Sequence, residues 1–336
     1  MKTRAAVLRT LGASRPYADS RPLAIETVTL DPPGRDEVVV AIKAAGLCHS
    51  DLSVINGDRP RPLPMALGHE AAGVVEALGE GVTDLAVGDH VVMVFMPSCG
   101  HCTPCAGGRP ALCEPGAAAN GRGELLGGGK RLHGPDGDLN HHLGCSAFAE
   151  RAVVSRRSLV RVDPDLPFAE AALFGCAVLT GVGAVVNTAG VKAGQSVAVV
   201  GLGGVGLASV LGALASGASP VIAVDLSENK LALARSLGSA WKMTRRGGTT
   251  VTAGLPPPEA ALAVNVVTLV AEERTLKGSY IGTCVPSRDL PRYVALYREG
   301  RLPVDRLMSG TIALEDINQG FDRLADGEVV RLVVEF

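Results

Sequence analysis

The chain has 336 residues, a formal net charge of −2, 47% hydrophobic and only 3% aromatic residues, and a mean hydropathy of +0.26. That length exceeds what one hydrophobic core serves, so two domains are expected, and the apolar content excludes an intrinsically disordered chain. Nearly balanced charge, with basic pairs such as Arg156/Arg157 and Arg245/Arg246 expected to be solvated, argues against a nucleic-acid partner.

The start, "MKTRAAVLRT", carries no cleavage-site pattern, and no run of 18 uncharged apolar residues is read after it. A cytoplasmic protein without a membrane partner is the expectation. In that compartment thiols stay reduced, so the eight cysteines point to metal binding or catalysis and not to disulfides.

The first third shows short Val/Ile-rich runs broken by Gly, Pro and Asp, as in "EVVVAIKAAG", "AAGVVEALGEG", "GDHVVMVF" and "FAERAVVSRRSLVRVD". These predict a β-barrel-like domain with long loops. Within it, "CGHCTPCAGGRPALC" places Cys99, Cys102, Cys105 and Cys113 at C-x2-C-x2-C-x7-C. Gly and Pro between them supply tight turns, so four thiolates can enclose one tetrahedral zinc, which would stabilise a loop without an open position for catalysis. An iron–sulfur cluster is the rival reading of that spacing.

Cys48 in "GLCHSD", His69 in "GHE" and Cys176 in "FGCAVLTG" are weak signals singly. Together, a Cys/His/Cys set leaves the fourth position of a zinc open to water or substrate. Asp51 and Glu70 stand beside these ligands as carboxylates that would orient the imidazole and tune the metal's charge; ordinary surface carboxylates are the alternative. Cys145 and Cys284 match no ligand pattern and read as buried, unreactive thiols, while His141 and His142 read as a solvated or hydrogen-bonded pair.

From about Val178 the pattern changes to strand, glycine turn and helix. "VAVVGLGGVG" puts Gly201, Gly203 and Gly206 in G-x-G-x-x-G, and Asp225 ends the next apolar strand. A carboxylate there holds both ribose hydroxyls and repels a 2′-phosphate, favouring NAD over NADP, with the pyrophosphate at the helix N-terminus.

These residues together resemble the zinc-dependent medium-chain alcohol dehydrogenases of NAD type over nearly the whole length. The likeness rests on "GLCHSDL", "LGHEAAGVVEALGEGV", "GDHVV", the four-cysteine lobe, "FGCAVLTGVGAV", "VGLGGVG", "VDLSENK", "AGLPPP" and "GFDRLADGEVVR". It implies an α/β fold with a GroES-like, β-barrel-type catalytic domain (1–177) carrying the lobe (99–113). A doubly wound Rossmann NAD-binding domain (178–280) and a C-terminal return (281–336) would follow.

The resemblance further implies two zinc ions per chain, one on Cys48, His69 and Cys176 and one on the four cysteines of the lobe. It assigns Ser50 as the hydroxyl that takes the substrate proton and Asp51 as the partner of His69. His49, Thr180, Gly204, Val205 and Arg331 join the glycines at the cofactor, with His49 and Arg331 on the pyrophosphate and Asp225 and Lys230 on the adenosine ribose. Phe95, Leu143, Leu255 and Tyr280 would line a pocket of little polarity for a small primary or aromatic alcohol or its aldehyde. Proton exit from Ser50 would use water, Ser53 or His49. Ala117 stands where relatives acting on the glutathione adduct of formaldehyde carry arginine, and the segment 114–139 resembles the loop of dimeric members, implying a homodimer.

One stretch departs from the family. In "LARSLGSAWKMTRRGGTTVTAG", from Leu233 to Gly254, a single short helical pattern and a fragment stand where a doubly wound sheet needs further helices and strands 3 and 4. The shortfall is roughly 35 to 40 residues by βαβ unit length. With Gly238 able to cap one helix and Ser239 to start another, the joint is locally tolerable, but strand 5 must then pair with strand 1 or leave both edges open. An impaired zinc-binding remnant that no longer holds NAD is therefore the alternative to an active dehydrogenase. A family member with a polyol or aldehyde-adduct substrate is a further one.

Overall fold

The structure of the protein, a computed structural model, describes residues 1–225, 240–256 and 258–336. The chain divides into two compact units: Met1–Cys176, Val285–Pro291 and Met308–Phe336 form the first, and Ala177–Cys284 with Arg292–Leu307 form the second. Sequence reasoning placed the whole segment after 280 in the catalytic domain; residues 281–284 and 292–307 instead group with the second unit.

In the first unit the strands are β1 (Lys2–Leu8), β2 (Leu23–Leu30), β3 (Glu37–Gly46), β4 (Met65–Ala66), β5 (Ala71–Leu78), β6 (His90–Met93), β7 (Leu132–Gly134), β8 (Gly137–His141), β9 (Arg151–Ser155) and β10 (Leu159–Val162). β1, β2, β7, β8 and β4 close a barrel, in which β4 lies antiparallel to β1 and parallel to β8. Val7, Val28, Leu30, Val39, Leu132, Leu139 and Val153 fill one core at 0–1% exposure, matching the alternating Val/Ile/Leu runs of the sequence.

A seven-stranded sheet runs β10-β6-β5-β3, with β9 on β3. Every residue of β3 except Lys43 is buried, as a central strand covered on both faces requires.

The second unit holds β11 (Val197–Val200), the helix Gly204–Ala215 and β12 (Val221–Val224), a βαβ unit with parallel strands. Val185, Ala213 and Ala218 are its small core, with Val191, Val197 and Val221 packed against it. β13 (Thr249–Thr252) and β14 (Thr275–Gly278) form a second parallel pair. Among the described residues these two pairs stay separate sheets, so β13 does not take the place beside β11 that strand 4 would hold in a full doubly wound sheet. The joint itself, including Gly238 and Ser239, lies outside the described residues. β14 is exposed at all four positions. β15 (Gly310–Ile312) and β16 (Leu332–Glu335) return to the first unit and complete the seven-stranded sheet beside β3.

The helix Phe168–Ala189 has the length and mean hydropathy (1.8) of a membrane span, which corrects the expectation that no such run is present. Burial of 83% of its apolar window inside the protein marks a core helix.

Candidate active site

Cys48 follows β3 and caps the helix His49–Ile55 with extended backbone at φ −127° and ψ 150°. Its N–H donates to Asp51 Oδ2 at 3.2 Å, a reciprocal cap that places the thiol and the carboxylate at one helix start. Asp51 and Glu70 are both 0% exposed, so neither is an ordinary surface carboxylate.

Asp51 Oδ1 accepts from Gly68 N at 3.3 Å and faces His69 Nδ1 at 3.0 Å. His69 Nε2 stands 3.4 Å from Cys176 Sγ, and a ring holding one proton on Nδ1 toward the carboxylate would offer its Nε2 lone pair there. Burial alone would push the imidazole pKa down, but the Asp51 charge and hydrogen bond outweigh it and raise it to about 10. A cation on Nε2 must therefore displace a proton.

Cys176 enters on the π-helical turn Phe174–Val178, a geometry common where a helix is deformed for function. A Cβ on Gly175 would collide with the Met93 carbonyl of β6, so glycine lets this turn lie against the sheet. The ligand atoms of Cys48, His69 and Cys176 all lie within 4.8 Å of one another, and all three residues are buried. Two thiols and one imidazole form a donor set suited to zinc, with a fourth position left for a small molecule. Arg331, 2% exposed, donates Nη1 to Leu47 O at 2.8 Å and brings Nε to 3.7 Å from Glu70 Oε1, placing a guanidinium beside the ligands. Burial raises the Glu70 pKa to about 7, against the pull of Arg331.

The thiols of Cys99, Cys102, Cys105 and Cys113 converge just as closely, within 4.8 Å. Backbone N–H groups point at sulfur: Cys99 N to Cys113 Sγ at 3.1 Å, Cys102 N to Cys99 Sγ at 3.3 Å and Gly116 N to Cys113 Sγ at 3.4 Å. Such donors favour thiolate, and four ligands close the site to substrate.

In the second unit Gly201 takes φ +89°, and a Cβ on Gly206 would collide with the Gly201 carbonyl, so the turn needs glycine at both places. A Cβ on Gly203 would meet nothing within 4 Å, leaving open space beside the start of helix Gly204–Ala215, which has no side-chain cap. Gly204 and Val205 open that helix, whose first N–H groups suit an anion. Asp225, exposed at the end of β12, accepts from Leu202 N at 2.9 Å, which brings its carboxylate to the turn. Thr180 is 7% exposed in this unit, Tyr280 is half-buried and Leu255 is 49% exposed. Lys230 lies outside the described residues.

Residues 34–164 match the Alcohol dehydrogenase GroES-like domain. The Putative alcohol dehydrogenase D of Mycobacterium tuberculosis is 37% identical over 376 aligned positions, covering 99% of this chain and 100% of its own. The chain belongs to the zinc-dependent medium-chain alcohol dehydrogenases. An alignment of 376 positions against 336 residues leaves at least 40 positions with no residue of this chain, in accord with the shortfall read from the sequence.

Among solved structures, the alcohol dehydrogenase zinc-binding domain protein of Burkholderia ambifaria matches with a TM-score of 0.89 at 31% identity, over 100% of this chain and 99% of that one. The benzyl alcohol dehydrogenase of Acinetobacter calcoaceticus matches with 0.87 at 28% identity and the same coverage. As a member of this family the chain is an alcohol dehydrogenase-type oxidoreductase of two domains, one GroES-like.

Within the family frame, Phe95 and Leu143 lie in the first unit at 8% and 7% exposure, and the Phe95 ring meets His69 edge-on at 5.3 Å. His49 is exposed and Ser50 half-buried. Cys145 and Cys284 are both fully buried, as expected.

His141 and His142 are not solvated: they are 0% and 1% exposed. His141 Nε2 accepts from Arg131 N at 3.0 Å, while His142 Nδ1 comes to 3.2 Å from Asp51 Oδ1 and its ring meets His69 edge-on at 5.4 Å. Sequence reasoning did not mark His142 as a neighbour of the site because no ligand spacing singles it out. Parallel pairing of Ala66 with His141 brings it there, by setting the end of β8 beside the loop to His69.

Proposed function

We propose that the chain transfers hydride between a primary or aromatic alcohol, or the corresponding aldehyde, and NAD, with zinc held by Cys48, His69 and Cys176. The observation that carries this reading is the buried Cys/His/Cys convergence with His69 oriented by Asp51. When bound, zinc supplies Lewis acidity toward the substrate oxygen, and the nicotinamide ring supplies the hydride acceptor.

The chain's own residues do the rest. Ser50, in the first turn after Cys48, takes the hydroxyl proton on Oγ. Ser53 Oγ–H is engaged with His49 O at 2.7 Å, so the exposed His49 ring is the better outlet to solvent. Gly201, Gly203 and Gly206 admit the pyrophosphate at the helix start, and Asp225 holds the ribose hydroxyls and repels a 2′-phosphate. Phe95 and Leu143 supply apolar surface for the substrate. Cys99, Cys102, Cys105 and Cys113 hold a second zinc that secures their loop.

A benzyl alcohol dehydrogenase among the structural relatives supports an aromatic substrate. Likeness over 99% of the chain to a protein named as an alcohol dehydrogenase disfavours the impaired remnant. The test is NADH formation from benzyl alcohol by the purified chain, compared with Cys48→Ala. Turnover should vanish in the variant while zinc content falls from two to one per chain; undiminished turnover, or a preference for NADP, would sink the proposal.

A further inference from the structure

The helix Glu114–Arg122 begins at Cys113, whose sulfur both faces the other three thiols and accepts from Gly116 N. The state of the four-cysteine site is thus built into the helix start. The same helix grips the segment 95–97 at two points. A Cβ on Gly116 would collide with the Pro97 carbonyl, so the helix lies directly on that backbone. One turn on, Asn120 Nδ2 donates to the Phe95 carbonyl at 2.9 Å and passes Met96 Sδ at 3.8 Å.

Phe95 in turn stands edge-on to His69. Asn120 is 5% exposed, its Oδ1 is buried without a hydrogen-bond partner, and a Cβ on Gly144 would come to 3.5 Å from that oxygen. The side chain is therefore wedged between the Phe95 strand end and the loop that carries His142 and Leu143. A buried amide left half-satisfied is costly, and this one spends its donor on the Phe95 carbonyl.

We propose that Asn120 is a positioning residue that couples the four-cysteine metal lobe to the substrate wall of the three-ligand site, through the chain Cys113, helix, Asn120, Phe95 and His69. This inference rests on the metal-dependent reading above. The lobe then does more than secure a loop: loading it sets where Phe95 sits against His69.

The test compares the zinc enzyme and the cobalt(II)-substituted enzyme of the wild type, Asn120→Ala, Asn120→Asp, Cys105→Ser and the Asn120→Ala/Cys105→Ser double variant. Asn120→Ala and the isosteric Asn120→Asp both lose the donor to Phe95. They should keep both metals yet lower kcat for benzyl alcohol by up to about ten-fold, the kinetic equivalent of one buried hydrogen bond, without raising KM for NAD. Cobalt ligand-field bands of the three-ligand site should shift in the same variants.

Cys105→Ser should lose the lobe metal and shift those bands likewise, and the double variant should be no worse than Cys105→Ser alone. Where Cys105→Ser does not fold, chelator stripping of the lobe in wild type and in Asn120→Ala gives the same comparison. Wild-type bands and kcat in Asn120→Asp, or losses that multiply in the double variant, overturn the proposal. A wild type without alcohol turnover would instead fail the functional reading, and the cobalt bands would still decide the role of Asn120.

Discussion

A single oxygen, Asp51 Oδ1, stands 3.0 Å from His69 Nδ1 and 3.2 Å from His142 Nδ1, so the metal-site imidazole is set by a carboxylate that itself has more than one claimant. Asp51 is fully buried, so its partners are the groups packed on it, and His142 is one that can compete with His69 for the same oxygen. The surface offers a contrasting histidine. His133 holds Asp31 Oδ2 on Nε2 at 2.7 Å and Asp138 Oδ1 on Nδ1 at 2.8 Å. Both nitrogens can donate only in the imidazolium, and the hydrogen bond to Asp31 leads the causes that raise its pKa. A raised folded-state pKa stabilises fully below the unfolded value, about 6.5, and the gain disappears as pH rises through the folded value. Thermal melts of wild type and His133→Gln should therefore differ most between about pH 5 and 6.5 and converge in alkaline buffer. A gap that widens with pH would contradict the pairing.

The elements that build the site are short deformations of regular ones: a helix start at Cys48, a π-turn at Cys176 and a knuckle that runs into the helix Glu114–Arg122. The π-turn can approach β6 only because residue 175 has no side chain. Gly175→Ala should cost about 1–3 kcal/mol of stability through the collision with Met93 O and displace Cys176 from His69. Urea unfolding and metal counting together check this: a stable variant with both metals would show that the turn tolerates a methyl group. At this scale the chain was readable wherever chemistry imposes spacing. Four cysteines within fifteen residues and G-x-G-x-x-G before a helix mark their sites without any neighbour from elsewhere. His142, read only as half of a solvated or hydrogen-bonded pair, and Asn120 were not marked as neighbours of the site because their partners are distant in sequence and reach them only through β4–β8 pairing and helix packing.

Over the whole molecule, the two units differ in how well their strands are covered. β3 is the centre of a seven-stranded sheet with one exposed residue, whereas β14 is exposed throughout and the pairs β11–β12 and β13–β14 are separate sheets among the described residues. Hydrogen exchange followed by mass spectrometry should find β3 and β5 protected longest and β14 exchanging first; equal protection would mean that another element or a second chain covers β14. The sequence by itself determined the family, the barrel-type and nucleotide-type units, both cysteine sets and the shortened run before β13, because these depend on composition, period and local spacing. Tertiary structure alone decided that Asp51 and Glu70 are buried, that residues 292–307 group with the second unit, that β13 pairs with β14 without reaching β11, and that His142 and Asn120 meet the site. Burial and long-range pairing come from how strands and helices fill space together, and no stretch of chain read alone carries that information.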